Sequence, residues 1–267
     1  MVEMHVQQLL ETKYQEFNQP EFIEHDPISI PHLFTRKQDI EIAGFIAAIF
    51  AWGQRKTIIN KSKEFLSLMD DAPFDFIMNH TEADVKPFLQ FAHRTFQPAD
   101  AVYFIHWLQQ YYREHESLEF SFARHLKISD TNIGPALNGF QEDFFSIPHE
   151  RRTEKHIPTP ARGSTCKRLN MFLRWMVRRD NNGVDFGIWK TLDPALLLCP
   201  LDVHVGRVAR RLGLVRRTQT DWQTVLELTR NLCSLDPKDP ARFDFALFGL
   251  GISEKYSVPI AKKWRYM

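Results

Sequence analysis

The sequence predicts an all-α protein large enough for two lobes. Two observations carry the helical reading. The 267 residues include only 11 glycines and 15 prolines, few of them inside apolar-periodic segments, and no alternating β-branched run is long enough for a strand. The lobes follow from length, which is about twice the modal domain size of roughly 100–150 residues. A hydrophobic fraction of 43% beside 25% charged residues suits a sizeable core and excludes wholesale disorder.

A first helix is predicted over 2–17. A proline-containing loop around Asp26-Pro27 and Pro31 follows, and Gln38-Asp39 opens a helix running to about Trp52, with Gly53 as its stop. Ile42, Ala43, Ile46, Ala47 and Phe50 share one face of it, and Ile40, Ile49 and Trp52 add apolar residues elsewhere, so it is buried nearly all round. Even this longest apolar stretch, interrupted by Glu41, falls far short of the roughly 20 residues a membrane helix needs. Gln54-Arg55-Lys56 leads into a helix over 57–69, and two aromatic-rich helices lie near 100–113 and 134–145. Pro148, Pro158 and Pro160 flank a basic linker over 151–156. From Ser164 or Thr165, either a good N-cap, Leu169, Phe172, Leu173 and Met176 define an apolar helix face. Lys167, Arg174 and Arg178 lie on another. Asp202 is the natural N-cap of a helix that buries Val205, Val208, Ala209 and Leu212, carries Arg210 and Arg211 in its last turn, and stops at Gly213. Helices over 221–233 and 241–250 flank Asp236 to Pro240. No fixed-period repeat is present.

The net charge of +1 conceals an asymmetry. Residues 1–150 hold 12 Lys and Arg against 22 Asp and Glu, residues 151–217 hold 15 against 5, and residues 218–267 hold 7 against 6. A strongly cationic block in a near-neutral chain is either a solvated face or a surface that meets phosphates. The first residues have neither a basic n-region nor an apolar h-region, which predicts a cytoplasmic protein. Cys166, Cys199 and Cys233, an odd and widely spaced set, support neither a disulfide framework nor a Cys-x-x-Cys site.

Gly-rich phosphate loops, His-Glu-x-x-His, Gly-x-Ser-x-Gly and the dinucleotide fingerprint are all missing. None of the 11 histidines pairs with another at i, i+4 on a clear helix, so no metal site is expected. The pair that stands out is Lys167, near the start of one helix, and Asp202, capping another. A lysine amine becomes nucleophilic when its pKa falls, and desolvation with neighbouring cations such as Arg168 and Arg174 acts that way. Capping alone, worth about 1 kcal/mol, would equally account for the aspartate.

Pro200-Leu-Asp202-Val-His204-Val-Gly-Arg207-Val-Ala-Arg-Arg-Leu-Gly-Leu214 resembles the Pro-Val-Asp-x-His-Val-x-Arg-Val segment of helix-hairpin-helix DNA glycosylases. Ile42 to Gln54, followed by Thr57 to Ser62, resembles the first barrel helices of that superfamily. Gly163-Ser-Thr-Cys-Lys167-Arg-Leu-Asn-Met-Phe-Leu-Arg-Trp-Met resembles its second hairpin helix. About half the chain is covered. The whole chain is also similar to an uncharacterised bacterial protein family, most distinctively through the Cys166 to Met176 and Pro200 to His204 segments. Two features depart from the superfamily. His156 to Gly163 replaces the usual Leu-Pro-Gly-Val-Gly hairpin, as in the archaeal 8-oxoguanine glycosylases with an altered hairpin. The 35-residue step from Lys167 to Asp202 is longer than usual, with Arg179 to Lys190 as the apparent insertion.

The resemblance implies a two-lobed glycosylase-like fold with the active-site cleft between the lobes, one built from 37–180 and the other from 1–36 with 181–267. It implies base excision from damaged double-stranded DNA, with an oxidised purine such as 8-oxoguanine as substrate. Lys167 would be the Schiff-base nucleophile and Asp202 the residue that stabilises the cationic sugar. Gln54 would be the duplex wedge. Arg55, Arg162, Ser164, Arg168, Arg174, Arg178 and Arg207 would contact DNA, and Trp52, Phe144, Trp175 and Trp189 would line the base pocket. With 22 phenylalanines in the chain, most aromatic rings belong to the core. No cofactor is expected: nothing beyond Cys233 could ligate an iron-sulfur cluster. The protein would act as a monomer, on the nucleoid when DNA-bound. The alternatives are a monofunctional glycosylase of alkylated bases that uses Asp202 alone, and a non-catalytic nucleic-acid-binding protein on the same scaffold.

Overall fold

The computed structural model describes residues 2–253. In chain order its helices are α1 (Met4–Phe17), α2 (Glu21–Glu24), α3 (Lys37–Phe50), α4 (Arg55–Ser67), α5 (Pro73–Asn79), α6 (Glu82–Val85), α7 (Pro98–Glu114), α8 (Glu119–Ala123), α9 (Gly134–Phe144), α10 (Lys167–Val177), α11 (Val203–Arg211), α12 (Trp222–Cys233) and α13 (Asp244–Ser253). Among the described residues the β-type pairing is an isolated bridge between His93 and Phe96. The all-α expectation therefore holds. The short helices α2, α5, α6 and α8 go beyond the sequence reading, because one or two turns are too few to express a period.

The chain divides into two compact units. One comprises 2–22, 160–187 and 193–253 of the described residues, and the other 23–159 with 188–192. Residues 160–180 thus group with the termini rather than with 37–159, because α10 is tied to the C-terminal elements through Arg174 and Arg178. Residues 254–267 of the predicted second lobe lie outside the described residues.

In the unit holding the termini, α13 packs against both α1 and α11. The approach to α1 is close: a Cβ on Gly249 would lie 2.1 Å from Phe17 Cδ2. On α10 every residue from Leu169 to Val177 is buried.

In the other unit, α3 is buried at every position from Ile40 to Phe50, as its apolar residues on all faces predicted. It ends two residues short of Trp52. The Phe50 carbonyl accepts from Trp52 N at 2.6 Å and from His93 Nε2 at 3.1 Å, which takes it out of the helical ladder. Phenylalanine rings fill the surroundings, with Phe45 against Phe104, Phe140 and Phe144, and Phe50 against Phe65, Phe91 and Phe96. Inside this core sits the carboxylate of Glu41. It accepts from Tyr112 Oη (2.8 Å), Ser117 Oγ (2.5 Å), Leu118 N (3.1 Å) and Trp189 Nε1 (2.7 Å). Burial raises its pKa, and these donors pull it back down. The same bond from Trp189 fastens 188–192 to this unit.

Candidate active site

Lys167 is the first residue of α10. The turn before it is tight: Gly163 has φ of 74°, Cys166 has φ of 49°, and Ser164 Oγ accepts from Cys166 N at 3.1 Å. Neither Ser164 nor Thr165 is the N-cap. That position is Cys166, without a side-chain cap, because the Ser164 hydroxyl is spent on the turn. Asn170 Nδ2 donates to Thr165 O at 3.1 Å and braces the turn from within the helix. The Lys167 side chain is half-buried. Its Nζ lies 3.8 Å from Met171 Sδ one turn on, and it makes no ion pair among the described residues. An ammonium in such a place has lost part of its hydration without gaining a carboxylate in contact.

Asp202 is the N-cap of α11, as predicted. Its Oδ1 accepts from His204 N at 2.8 Å and Val205 N at 2.9 Å, satisfying two otherwise orphaned amides. Both bonds fall on one oxygen. Oδ2 has no hydrogen-bond partner among the described residues, so capping leaves a carboxylate oxygen over.

Lys167 and Asp202 belong to the same unit, and both act on a third group, Asp244, the first residue of α13. Asp244 is buried. Burial pushes its carboxyl up to about 6, Arg174 and then Lys167 pull it down, and Asp202 and Asp185 push it up. The buried Cys199 thiol senses Asp244, Arg174 and Asp202, and burial holds it well above its ordinary value. Cys166 is likewise raised to about 12 and Cys233 is raised, both mainly by burial, so none of the thiols is set up as a thiolate nucleophile. The site therefore offers one amine and two carboxyls.

The other predicted residues separate into two sets. Arg174 and Arg178 were expected at phosphates and are core ion pairs instead. Arg174 is 3% exposed, donates from Nη1 to Asp244 Oδ2 at 2.6 Å, places Nε 3.3 Å from Asp185 Oδ1, and stacks 4.1 Å over the Phe245 ring. Arg178 is 1% exposed and reaches Asp239 (2.8 Å), Asp180 (2.5 Å), Asp185 (3.0 Å) and Tyr14 Oη (2.6 Å). A guanidinium buried among carboxylates is closed off from a phosphate. Phe144, Trp175 and Trp189 are fully buried and are corrected from base-pocket residues to core. Phe144 packs on Trp107 at 4.5 Å, and the Trp189 indole N–H is committed to Glu41.

Trp52, Gln54, Arg162 and Arg207 are exposed, and Arg55, Ser164 and Arg168 are half-buried. Burial lowers the Arg168 guanidinium to about 10, still charged near neutrality. Trp52, Gln54 and Arg55 stand at the α3–α4 turn of the second unit. Arg162, Ser164, Arg168 and Arg207 belong to the unit that carries Lys167 and Asp202. An open depression of about 370 Å³ lined by Glu114, His115, Glu119, Phe120 and Thr191 holds none of the predicted residues.

The family model described as "Protein of unknown function (DUF2400)" matches residues 26–253. The chain belongs to the DUF2400 family. No curated protein and no solved structure matches it. The DUF2400 match takes in every predicted site residue, and all three elements around the amine and carboxyls fall within it. Among the described residues of this DUF2400 member no helix is long and apolar enough to cross a membrane, and no group of three or more His, Cys, Asp or Glu residues is placed to hold a metal ion.

Sequence reasoning missed Asp244 and Glu41 as site and core groups. A signal for each exists: Asp244 is a single acid between Phe243 and Phe245, and Glu41 is an acid between Ile40 and Ile42 in the apolar stretch of α3. An isolated charge at such a position must be paired or have a shifted pKa.

Proposed function

We propose that this protein is a base-excision DNA glycosylase with lyase activity, in which Lys167 is the nucleophile and Asp202 the assisting carboxylate, working on a two-lobed glycosylase-like scaffold. The observation that carries the reading is the Lys167 amine itself: half-buried, without an ion pair among the described residues, and in the same unit as a helix-capping carboxylate with one oxygen uncommitted. The resemblance of the 163–176 and 200–214 segments to glycosylase motifs supports it. In the reaction, Lys167 Nζ, as the free amine once its ammonium has released a proton to solvent, attacks the sugar C1′ of an extruded nucleotide while the C1′–N bond to the base breaks. The base leaves with that electron pair and picks up a proton. Asp202 offsets the positive charge on the sugar and takes the proton the attacking nitrogen sheds. Sugar-ring opening then gives a Schiff base, and β-elimination expels the 3′ phosphate. Extrusion costs least at a lesion, and an oxidised purine such as 8-oxoguanine in duplex DNA is the substrate to test first. Arg162, Arg168 and Arg207 remain as the cationic side chains for the phosphates.

The experiment is borohydride trapping on duplexes carrying 8-oxoguanine, uracil, an alkylated purine or an abasic site. A covalent band on a damaged-base duplex that vanishes in Lys167→Ala is the expected result. Base release without a band, dependent on Asp202, would replace the lysine mechanism with a hydrolytic one. Neither signal on any lesion would overturn the enzymatic reading.

A further inference from the structure

The α3–α4 turn presents an aromatic side chain to solvent in a way its own packing does not require. Trp52 is 49% exposed although it stands two residues after a helix that is buried from Ile40 to Phe50. The Arg94 guanidinium lies 4.3 Å over its ring, so one face of the indole is covered while half of the residue still meets water. Arg94 makes no ion pair among the described residues, and its charge rests on the indole alone.

Both side chains stand on rigid supports. Arg94 has φ of 56°, a left-handed conformation, in the turn closed by reciprocal bonds between His93 and Phe96 at 2.9 Å. Gly53 has φ of 115°, and a Cβ there would come within 2.4 Å of Arg94 Nη1. The two turns are joined from below by the bond from His93 Nε2 to Phe50 O and by the contacts of Phe50 with His93 and Phe96. Holding two non-helical turns against each other in this way fixes the indole before any partner arrives.

The charge around the pair is a second, independent observation. Residues 51–63 carry Arg55, Lys56, Lys61 and Lys63 and no carboxylate, and residues 85–99 carry Lys86 and Arg94 and no carboxylate. The surrounding sequence, residues 1–150, has 22 acids against 12 bases. The two segments pack together, with Lys61 Nζ 5.2 Å over the Phe91 ring. Lys56 is exposed and, like Arg94, has no carboxylate in ion-pair contact among the described residues. A fixed aromatic face beside exposed cations is the arrangement that binds unpaired bases, the ring taking the base and the cations its backbone.

We infer that Trp52 and Arg94 form a stacking platform for an unpaired nucleobase, with Lys56 and its neighbours on the adjoining phosphates. This rests on the nucleic-acid reading above but not on the chemistry of Lys167. It adds Arg94 to the binding surface and names the bound state: a base with no partner, in a single strand or bulged from a duplex.

The test is equilibrium binding of the full chain to a labelled oligothymidylate, a fully paired duplex and a duplex with one unpaired base. Trp52→Ala and Arg94→Asn serve as variants, asparagine being chosen because it tolerates the left-handed backbone, and Trp52→Phe is the conservative control. Trp52→Ala should weaken the single strand and the bulged duplex by about five- to a hundredfold, the range for losing one base stack. The fully paired duplex should change less, and Trp52→Phe should recover most of the loss. Equal affinity of Trp52→Ala and the native chain for the bulged duplex would overturn the platform, as would the absence of any preference for unpaired bases. Trapping at Lys167 is scored separately. Binding without trapping would remove the lysine mechanism and leave the platform, whereas trapping that is indifferent to Trp52 and Arg94 would do the reverse.

Discussion

Arg174 Nη1 lies 2.6 Å from Asp244 Oδ2, and the two residues are only 3% and 7% exposed. The cation that the sequence offered to a phosphate is thus the counter-ion of a buried acid that feels the charge of the candidate nucleophile. Removing it exposes what it does. Arg174→Ala leaves Asp244 and Asp185 buried without their shared cation and should cost about 3–5 kcal/mol in chemical denaturation. Arg174→Lys keeps the charge but loses the planar stack on Phe245, so it should fall between. An unchanged midpoint in both variants would contradict this account.

Asp244 also sets a pH dependence. Burial holds its carboxyl at about 6 in the folded protein, above the ordinary 3.8, so between those values the folded chain keeps a proton that the unfolded chain has released. The stability this contributes is fully present below about pH 4 and is lost as pH rises through about 6. Asp244→Asn should flatten that part of the curve. Unfolding free energies compared across the window check it, and a native curve with no fall there that Asp244→Asn removes would refute it.

Asp202 separates capping from chemistry. Asparagine caps as well as aspartate, whereas alanine does not, so Asp202→Ala should lose about 1 kcal/mol and Asp202→Asn only a few tenths. Both should lose base release. An Asp202→Asn protein that keeps full glycosylase activity would reduce the residue to its cap.

Glu41 holds four donors in the apolar core. Glu41→Leu leaves the Tyr112 and Ser117 hydroxyls, the Leu118 amide and the Trp189 indole N–H without their acceptor, at about 1–3 kcal/mol for each that finds no substitute. Glu41→Gln keeps one acceptor oxygen and should be milder. Chemical denaturation followed by tryptophan fluorescence measures the loss.

Arg207 and Arg178 should behave as opposites. Arg207 is exposed and unpaired among the described residues, so Arg207→Ala should leave stability within about 0.5 kcal/mol while weakening duplex binding and lowering its salt slope. Arg178→Ala should destabilise strongly by stranding Asp180, Asp185 and Asp239. Melting curves run beside salt titrations of duplex binding separate the two.

The long helices were legible because each carries a period and a stop. The burial of α3 was readable from apolar residues on all its faces, and the cap of α11 from an aspartate ahead of an apolar-periodic run. The start of α10 was misread by one or two residues, since two good capping residues precede it and only the turn geometry at Gly163 and Cys166 assigns Ser164 elsewhere. Among the site residues, Asp202's cap could be read locally. The fates of Arg174 and Arg178 could not, because their carboxylate partners at Asp239 and Asp244 lie more than sixty residues away.

By itself, then, the sequence determined the all-α class, the main helices and the candidacy of Lys167 and Asp202, all of which depend on neighbours within a turn or two of the chain. Tertiary structure decided which charges are free. A guanidinium is the same group on a surface or between three aspartates, and only the packing of distant segments sets its desolvation and its partners. That same packing turned Trp175 and Trp189 inward, left Trp52 outside, and placed Asp244 within electrostatic reach of both Lys167 and Asp202.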